Sequence, residues 1–363
     1  MEPRTVELFL DLIRIDALSC NEKPVADYIR SVLEPLGMSV TEDDTASITG
    51  SNTGNLIARY KDGGRKVLLS HMDTARPTRD LVPQITNGKI HGSGGTILGA
   101  DNRAGCAILL ASAEQIIKHQ PDAPGFTLAF TVCEETTLGG SKNLNLDPAI
   151  AGGFVFDSSN LPGRYIYSAC GAKMIRIEIV GRASHSGIEP EKGINAIAIA
   201  ARALAQIKQG RLDEQTTMNF GIIKGGSAVN VVPDRVVLHG EVRSFDTKRV
   251  EEEVARLKDV FETETLNSGG SLIFADEWDF TPYTVDRNVY TIPAIEAAIS
   301  AAGMKPEPVI SLGGSDANSL NANGIPSVNI GIGAKNPHAD DEYIMEADLM
   351  KATGIALALL VQP

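Results

Sequence analysis

Apolar and polar positions run along this chain in two rhythms. Up to about residue 172, short continuous apolar runs are separated by stretches whose apolar residues recur at helical spacing. Asn55–Tyr60, Lys66–Ser70, Phe126–Cys133 and Gly153–Phe156 read as strands. Thr5–Ile15, Lys23–Leu36 and Asp101–Ile117 read as helices, the last with a stripe of Ala104, Ile108, Leu109, Ala113 and Ile116. Strands that are apolar on both sides and alternate with helices predict an α/β domain, a mostly parallel sheet with helices on both faces. The polar, glycine-rich segment Thr86–Gly99 reads as loop.

From Lys173 the rhythm changes. Met174–Val180 alternates apolar and polar side chains, as in a sheet with one wet face. A helix (Asn195–Ile207), two strands (Met218–Ile223 and Arg235–Arg243), a helix from a cap at Asp246 to about Leu266 and a strand (Ser271–Ala275) follow. The order βαββαβ is the ferredoxin-like arrangement. Residues 173–279 therefore read as an inserted α+β domain, and 1–172 with 280–363 as the domain it interrupts. The α/β rhythm resumes with a helix (Ile292–Ala302), a strand (Pro308–Ile310), the glycine loop Leu312–Asp316, a strand (Ser327–Gly331) and a helix from about Ala347 to Leu360.

Length agrees with two domains, because a single core stops growing at about 250–300 residues and the chain has 363. A net charge of −13 lacks the basic face that nucleic acid or an anionic membrane would need. No run approaches the roughly 18 apolar residues of a membrane span, and the first residues lack the basic and apolar regions of a signal peptide. Cys20, Cys106, Cys133 and Cys170 are scattered and form no CxxC pair, so they read as reduced thiols of a cytoplasmic protein.

Chemistry enters at the strand ends. The strand Phe126–Cys133 finishes in two adjacent acids, Glu134 and Glu135, a costly pair to place beside a buried run unless they act. His71 follows a second strand, Asp157 a third and His338 a fourth, while Asp101 stands ahead of a helix. In open parallel sheets, ligands bind beyond the carboxyl ends of the strands, so these separate sites are expected to converge. Taken singly, each has a plainer reading: helix cap for Asp101 or Asp157, turn cap for the glutamates, solvated loop for His71–Asp73 and His338. Together they form a nitrogen and oxygen set that suits zinc, and also manganese or cobalt. Two ions need a bridging carboxylate and about two further ligands each, which leaves one acid of the glutamate pair free to move a proton. A GxGxxG fingerprint, a P-loop and a GxSxG elbow are all missing from the sequence.

At His71-Met-Asp-Thr74, Gly99-Ala-Asp-Asn-Arg-Ala-Gly105, Cys133-Glu-Glu135, Asp157 and Pro337-His338, the sequence resembles the M20 family of dinuclear zinc peptidases. Within it the chain is most similar to the peptidase T (tripeptide aminopeptidase) branch, over essentially its whole length. The resemblance implies that His71 and Asp157 bind one ion, Glu135 and His338 the other, that Asp101 bridges them, and that the peptide bond from Asp101 to Asn102 is cis. Asp73 would orient His71, and Glu134 would be the general base. The inserted domain would be a lid and dimerisation domain of a homodimer. Its His185, in Gly181-Arg-Ala-Ser-His-Ser-Gly187, would donate to the oxyanion, in its own or the partner subunit, and Asn230 and Arg243 would hold substrate, Arg243 by a carboxylate.

The implied activity is metal-dependent cleavage of short peptides by an aminopeptidase. An amidohydrolase acting on N-acyl amino acids is the alternative within the same chemistry. A non-catalytic peptide-binding protein on the same fold is another, although only turnover needs the proton carrier Glu134. The loop Ser315-Asp316-Ala317 and the short segment before His338 depart from the usual family wording, which leaves tripeptide preference open.

Overall fold

The computed structural model describes residues 3–362. In chain order its principal strands are β1 (Ser39–Glu42), β2 (Leu56–Tyr60), β3 (Lys66–His71), β4 (Phe126–Thr131), β5 (Gly152–Ser158), β6 (Arg164–Ala169), β7 (Gly171–Val180), β8 (Thr216–Gly225), β9 (Arg235–Ser244), β10 (Ser271–Phe280) and β11 (Ser327–Gly331). The chain forms two compact units. One comprises the chain up to Ser168, Thr284–Ser311 and everything from Ser315 on; the other comprises Ala169–Tyr283 and Leu312–Gly314.

The first unit is built on a sheet in the order β1-β2-β4-β3-β5-β11-β6. Its middle, β4-β3-β5-β11, is parallel, and antiparallel strands flank it on either side. Every residue of β3 and β4 is buried, as expected for strands covered on both faces. Withdrawing Val67, Leu68 and Leu69 from water contributes about 1.5–3 kcal/mol each. The helix Ala100–His119 lies against β3 and β5 on one side and against the helices Arg4–Leu12 and Glu346–Val361 on the other, which explains why it is apolar nearly all round. Gly105 permits this approach: a Cβ there would stand 2.2 Å from the Phe156 carbonyl oxygen and 2.5 Å from Ser70 Oγ. The helix that begins at Asp101 is thereby seated on the strand ends.

The segment Thr86–Gly99 is not all loop. Pro83–Thr86 and Lys89–Gly92 form a hairpin that pairs with Tyr343–Met345. Asn87 (φ 52°) and Gly88 (φ 75°) supply its turn, an Asn-Gly pair of the kind that matches strand twist.

The second unit has the sheet order β8-β9-β7-β10, antiparallel throughout, with the helices Ala196–Ala205 and Thr247–Asn267 on one face. Asn195 caps the first helix by accepting from Ala198 N–H at 2.9 Å, and Asp246 the second by accepting from Lys248 N–H at 2.8 Å. Ile175, Ile177, Ile179, Leu238, Leu257 and Phe261 form the core between sheet and helices, while the alternate residues of β9 are only partly covered.

Candidate metal centre

The carboxyl ends of β3, β4, β5 and β11 carry the reactive side chains. β3 ends in His71, which is 1% exposed, and β5 carries Asp157 next to its last residue. After β4 the chain turns at Cys133 into the left-handed region (φ 53°, ψ 38°), so Glu134 and Glu135 open a helical turn instead of prolonging the strand. His338, at φ 67°, lies in the loop beyond β11. Asp101 opens its helix with non-helical φ and ψ, and its peptide bond to Asn102 is cis.

Five side chains meet here. His71 Nε2 lies 3.1 Å from Asp101 Oδ1 and 3.4 Å from Asp157 Oδ1. His338 Nε2 lies 3.0 Å from Glu135 Oε2 and 3.4 Å from Asp101 Oδ2. The two oxygens of Asp101 therefore face two different imidazoles. Ligand atoms each about 2.1 Å from one ion at tetrahedral angles stand about 3.4 Å apart, close to these spacings. One ligand atom from each of His71, Asp101 and Glu135 falls within 4.8 Å of the other two. Glu135 Oε1 is buried with no hydrogen-bond partner, which asks for a cation or a donor. The residues fit divalent metal in donor type, in spacing and in this unsatisfied oxygen.

The electrostatics point the same way. Burial alone would depress the His71 imidazolium, but Glu134, Asp101, Asp157 and Asp73 hold its pKa well above the ordinary range. His338 is pushed up to about 10 by hydrogen bonds to Asp101 and Glu135. Burial, reinforced by Asp157, Asp316 and Glu135, raises Glu134 far above a usual carboxylate, although His71 opposes it. Glu134 Oε2 is 3.9 Å from His71 Nε2, beside the ligands and outside hydrogen-bonding distance of that ring.

Asp73 sits behind the cluster, fully buried. Its Oδ1 is 3.2 Å from His71 Nδ1 and receives the Glu134 N–H, also at 3.2 Å, while Oδ2 receives the Glu135 N–H at 3.2 Å and the Ser19 hydroxyl at 2.6 Å. One carboxylate thus aims His71 and both glutamates.

The remaining candidates belong to the second unit. His185 is exposed, and its Nδ1 accepts the Gly187 N–H at 3.2 Å. Asn230 is exposed, and its backbone carbonyl accepts the Ser186 N–H at 3.0 Å. Arg243 is half-buried and already engaged: Nε and Nη2 donate to the two oxygens of Glu241 at 3.0 Å each, and Nη1 to the Leu312 carbonyl at 3.2 Å. These bonds use three of the guanidinium's five N–H donors.

Comparison with known proteins gives the family. Residues 167–268 match the M20 peptidase dimerisation domain. The chain is 33% identical to the uncharacterised protein YqjE of Bacillus subtilis (strain 168), over 99% of this chain and 98% of that one. The M20 peptidases are its family.

Two crystal structures resemble this M20 chain along almost all of its length. A tripeptidase from Staphylococcus aureus superposes with a TM-score of 0.92 at 32% identity, covering 98% of this chain and 97% of that one. The aminopeptidase PepT from Bacillus cereus superposes with a TM-score of 0.88, also at 32% identity and with the same coverage.

Three further polar residues stand around the M20 centre. Glu342, 1% exposed, receives the N–H groups of Gly99 at 2.7 Å and Asp101 at 3.0 Å, and burial raises it to about 7. It follows Asp340 and Asp341, so it reads as part of an acidic surface loop. Asp316, buried and bonded to the Thr131 hydroxyl at 2.5 Å, resembles any acid in the first turn of a helix. Asn329, in mid-strand, donates to Asp157 Oδ2 at 3.1 Å.

Proposed function

We propose that the protein hydrolyses short peptides from the amino end with the help of two divalent metal ions. The observation that carries the reading is the pair of Asp101 oxygens facing His71 on one side and His338 on the other. His71 and Asp157 would hold one ion, Glu135 and His338 the second, and Asp101 both. Zinc fits the two imidazoles and three carboxylates best, with manganese or cobalt as substitutes. When bound, the ions supply Lewis acidity at the scissile carbonyl and make water at the site more acidic.

This chain's own residues do the rest. Asp73 keeps the His71 ring oriented through Nδ1 and fixes the glutamate turn. Glu134 takes a proton from the attacking water as its oxygen joins the carbonyl carbon, then gives that proton to the amine as the C–N bond breaks. Its place beside the ligand set, outside hydrogen-bonding distance of the His71 ring, leaves its carboxylate free to hold the proton between those steps. With Nδ1 of His185 accepting a hydrogen bond, the neutral ring carries its proton on Nε2, a donor for the developing oxyanion. The unused N–H groups of Arg243 suit a substrate carboxylate, and Asn230 is a further polar contact. The match to a dimerisation domain supports a homodimer through the second unit. The four cysteines are thiols that form no disulfide among the described residues, which supports a cytoplasmic setting, and no helix among those residues is long and apolar enough to cross a membrane.

A panel of tripeptides, dipeptides and N-acetyl amino acids tests the proposal. Cleavage is expected for peptides with a free α-amino group and lost when that group is acetylated. Turnover of N-acetyl amino acids alone would instead identify an amidohydrolase.

A further inference from the structure

Glu22 is a carboxylate without any exposed surface, set in the segment that precedes the helix Lys23–Leu33. Its Oε1 receives the backbone N–H of Cys133 at 2.8 Å, the Cys133 thiol at 3.4 Å and the Cys20 N–H at 3.0 Å; Oε2 receives the Ser51 hydroxyl. A buried acid with both oxygens occupied by such donors holds a fixed position.

The next two N–H groups along the chain, those of Glu134 and Glu135, go to the two oxygens of Asp73. Three consecutive amides at the start of a helical turn, which have no partner within the helix, are therefore all received by buried carboxylates. Asp73 is in turn tied to Ser19 at 2.6 Å. Ser19, Cys20 and Glu22 belong to one short segment, so that segment governs the whole strand end. The turn it holds is an unusual one, because Cys133 is a non-glycine residue at φ 53° and any relaxation of that angle swings both glutamates.

We propose that Glu22 is a positioning residue for Glu134, acting through the Cys133 amide. The proposal rests on the reading of Glu134 as the proton carrier. The hydrogen-bond partners of Glu22 are Cys20, Ser51 and Cys133, none of them a proposed metal ligand, and its effect is on where the Glu134 carboxylate stands. A shift of about 1 Å in such a group costs on the order of 100-fold in rate.

The test compares E22A and E22Q with wild type, all metal-loaded. Glutamine keeps a carbonyl oxygen for the Cys133 N–H and offers its amide to Ser51, whereas alanine offers neither. E22A is expected to lose about 10- to 100-fold in kcat with KM and bound metal near wild type, and E22Q to stay within about 3-fold. Hydrogen exchange at residues 133–135 should quicken in E22A alone, while the helix Ala100–His119 remains protected. Unchanged exchange at those amides, unchanged kcat in E22A, or an equal loss of kcat, KM and metal in both variants overturns the proposal. If the wild-type enzyme cleaves no peptide, the reading of Glu134 fails, and the exchange comparison alone decides whether Glu22 holds the turn.

Discussion

Asp73 Oδ1 meets His71 Nδ1 at 3.2 Å, which leaves Nε2 as the nitrogen that faces Asp101 and Asp157. Such a carboxylate fixes both the tautomer and the plane of a ligating imidazole. D73N is expected to weaken metal affinity by about 10- to 100-fold, measured by competition with a chromogenic chelator. The same affinity in D73N as in wild type would show that the His71 ring is held by something else.

Gly105 is the close-approach point between the Asp101 helix and the sheet. G105A adds helix propensity, worth about 1 kcal/mol, but sets a methyl 2.2 Å from the Phe156 carbonyl oxygen. Overpacking against backbone costs about 1–3 kcal/mol, so the clash wins. The unfolding midpoint should fall, and metal affinity should fall with it because Asp101 moves with the helix. A calorimetric midpoint equal to or above wild type would contradict the packing argument.

Lys66 is buried at the start of β3, where Nζ donates to the carbonyls of Leu359, at 2.8 Å, and Gln362. Burial lowers its pKa to about 8, against about 10.4 for a free lysine. Between those values the unfolded chain holds a proton that the folded chain has released, so stability from this site rises with pH across that window. Urea unfolding of wild type and K66M at pH 7.5, 8.5 and 9.5 should give a difference that moves in favour of wild type as pH rises. A difference independent of pH would mean that Lys66 keeps its ordinary proton affinity.

The parallel middle of the sheet was legible because β3, β4 and β5 each carry a continuous, mostly apolar run, and residues at their carboxyl ends converge for topological reasons. The hairpin Pro83–Gly92 was lost to the polarity of its surroundings, although its Asn87-Gly88 turn was a sequence signal. β1 and β6 give no such signal: β1 has four largely exposed residues, and Arg164–Ala169 mixes polar residues into its apolar ones. In the site, His71, Asp101, Glu135, Asp157 and His338 come together as their positions along the chain suggested. Glu22 and Glu342 did not announce themselves: a buried acid is recognised by donors that arrive from distant segments, and one sequence does not say which segments those are.

The central claim is that Glu134 moves the proton while its neighbour Glu135 holds metal. E134Q keeps size and backbone bonds but removes the base. Tripeptide turnover by E134Q, measured together with metal content by elemental analysis, tests the claim most directly. Loss of about 100- to 10,000-fold in kcat with the same metal per chain as wild type is the expected result. Wild-type turnover in E134Q, or loss of metal matching the loss of rate, would contradict it.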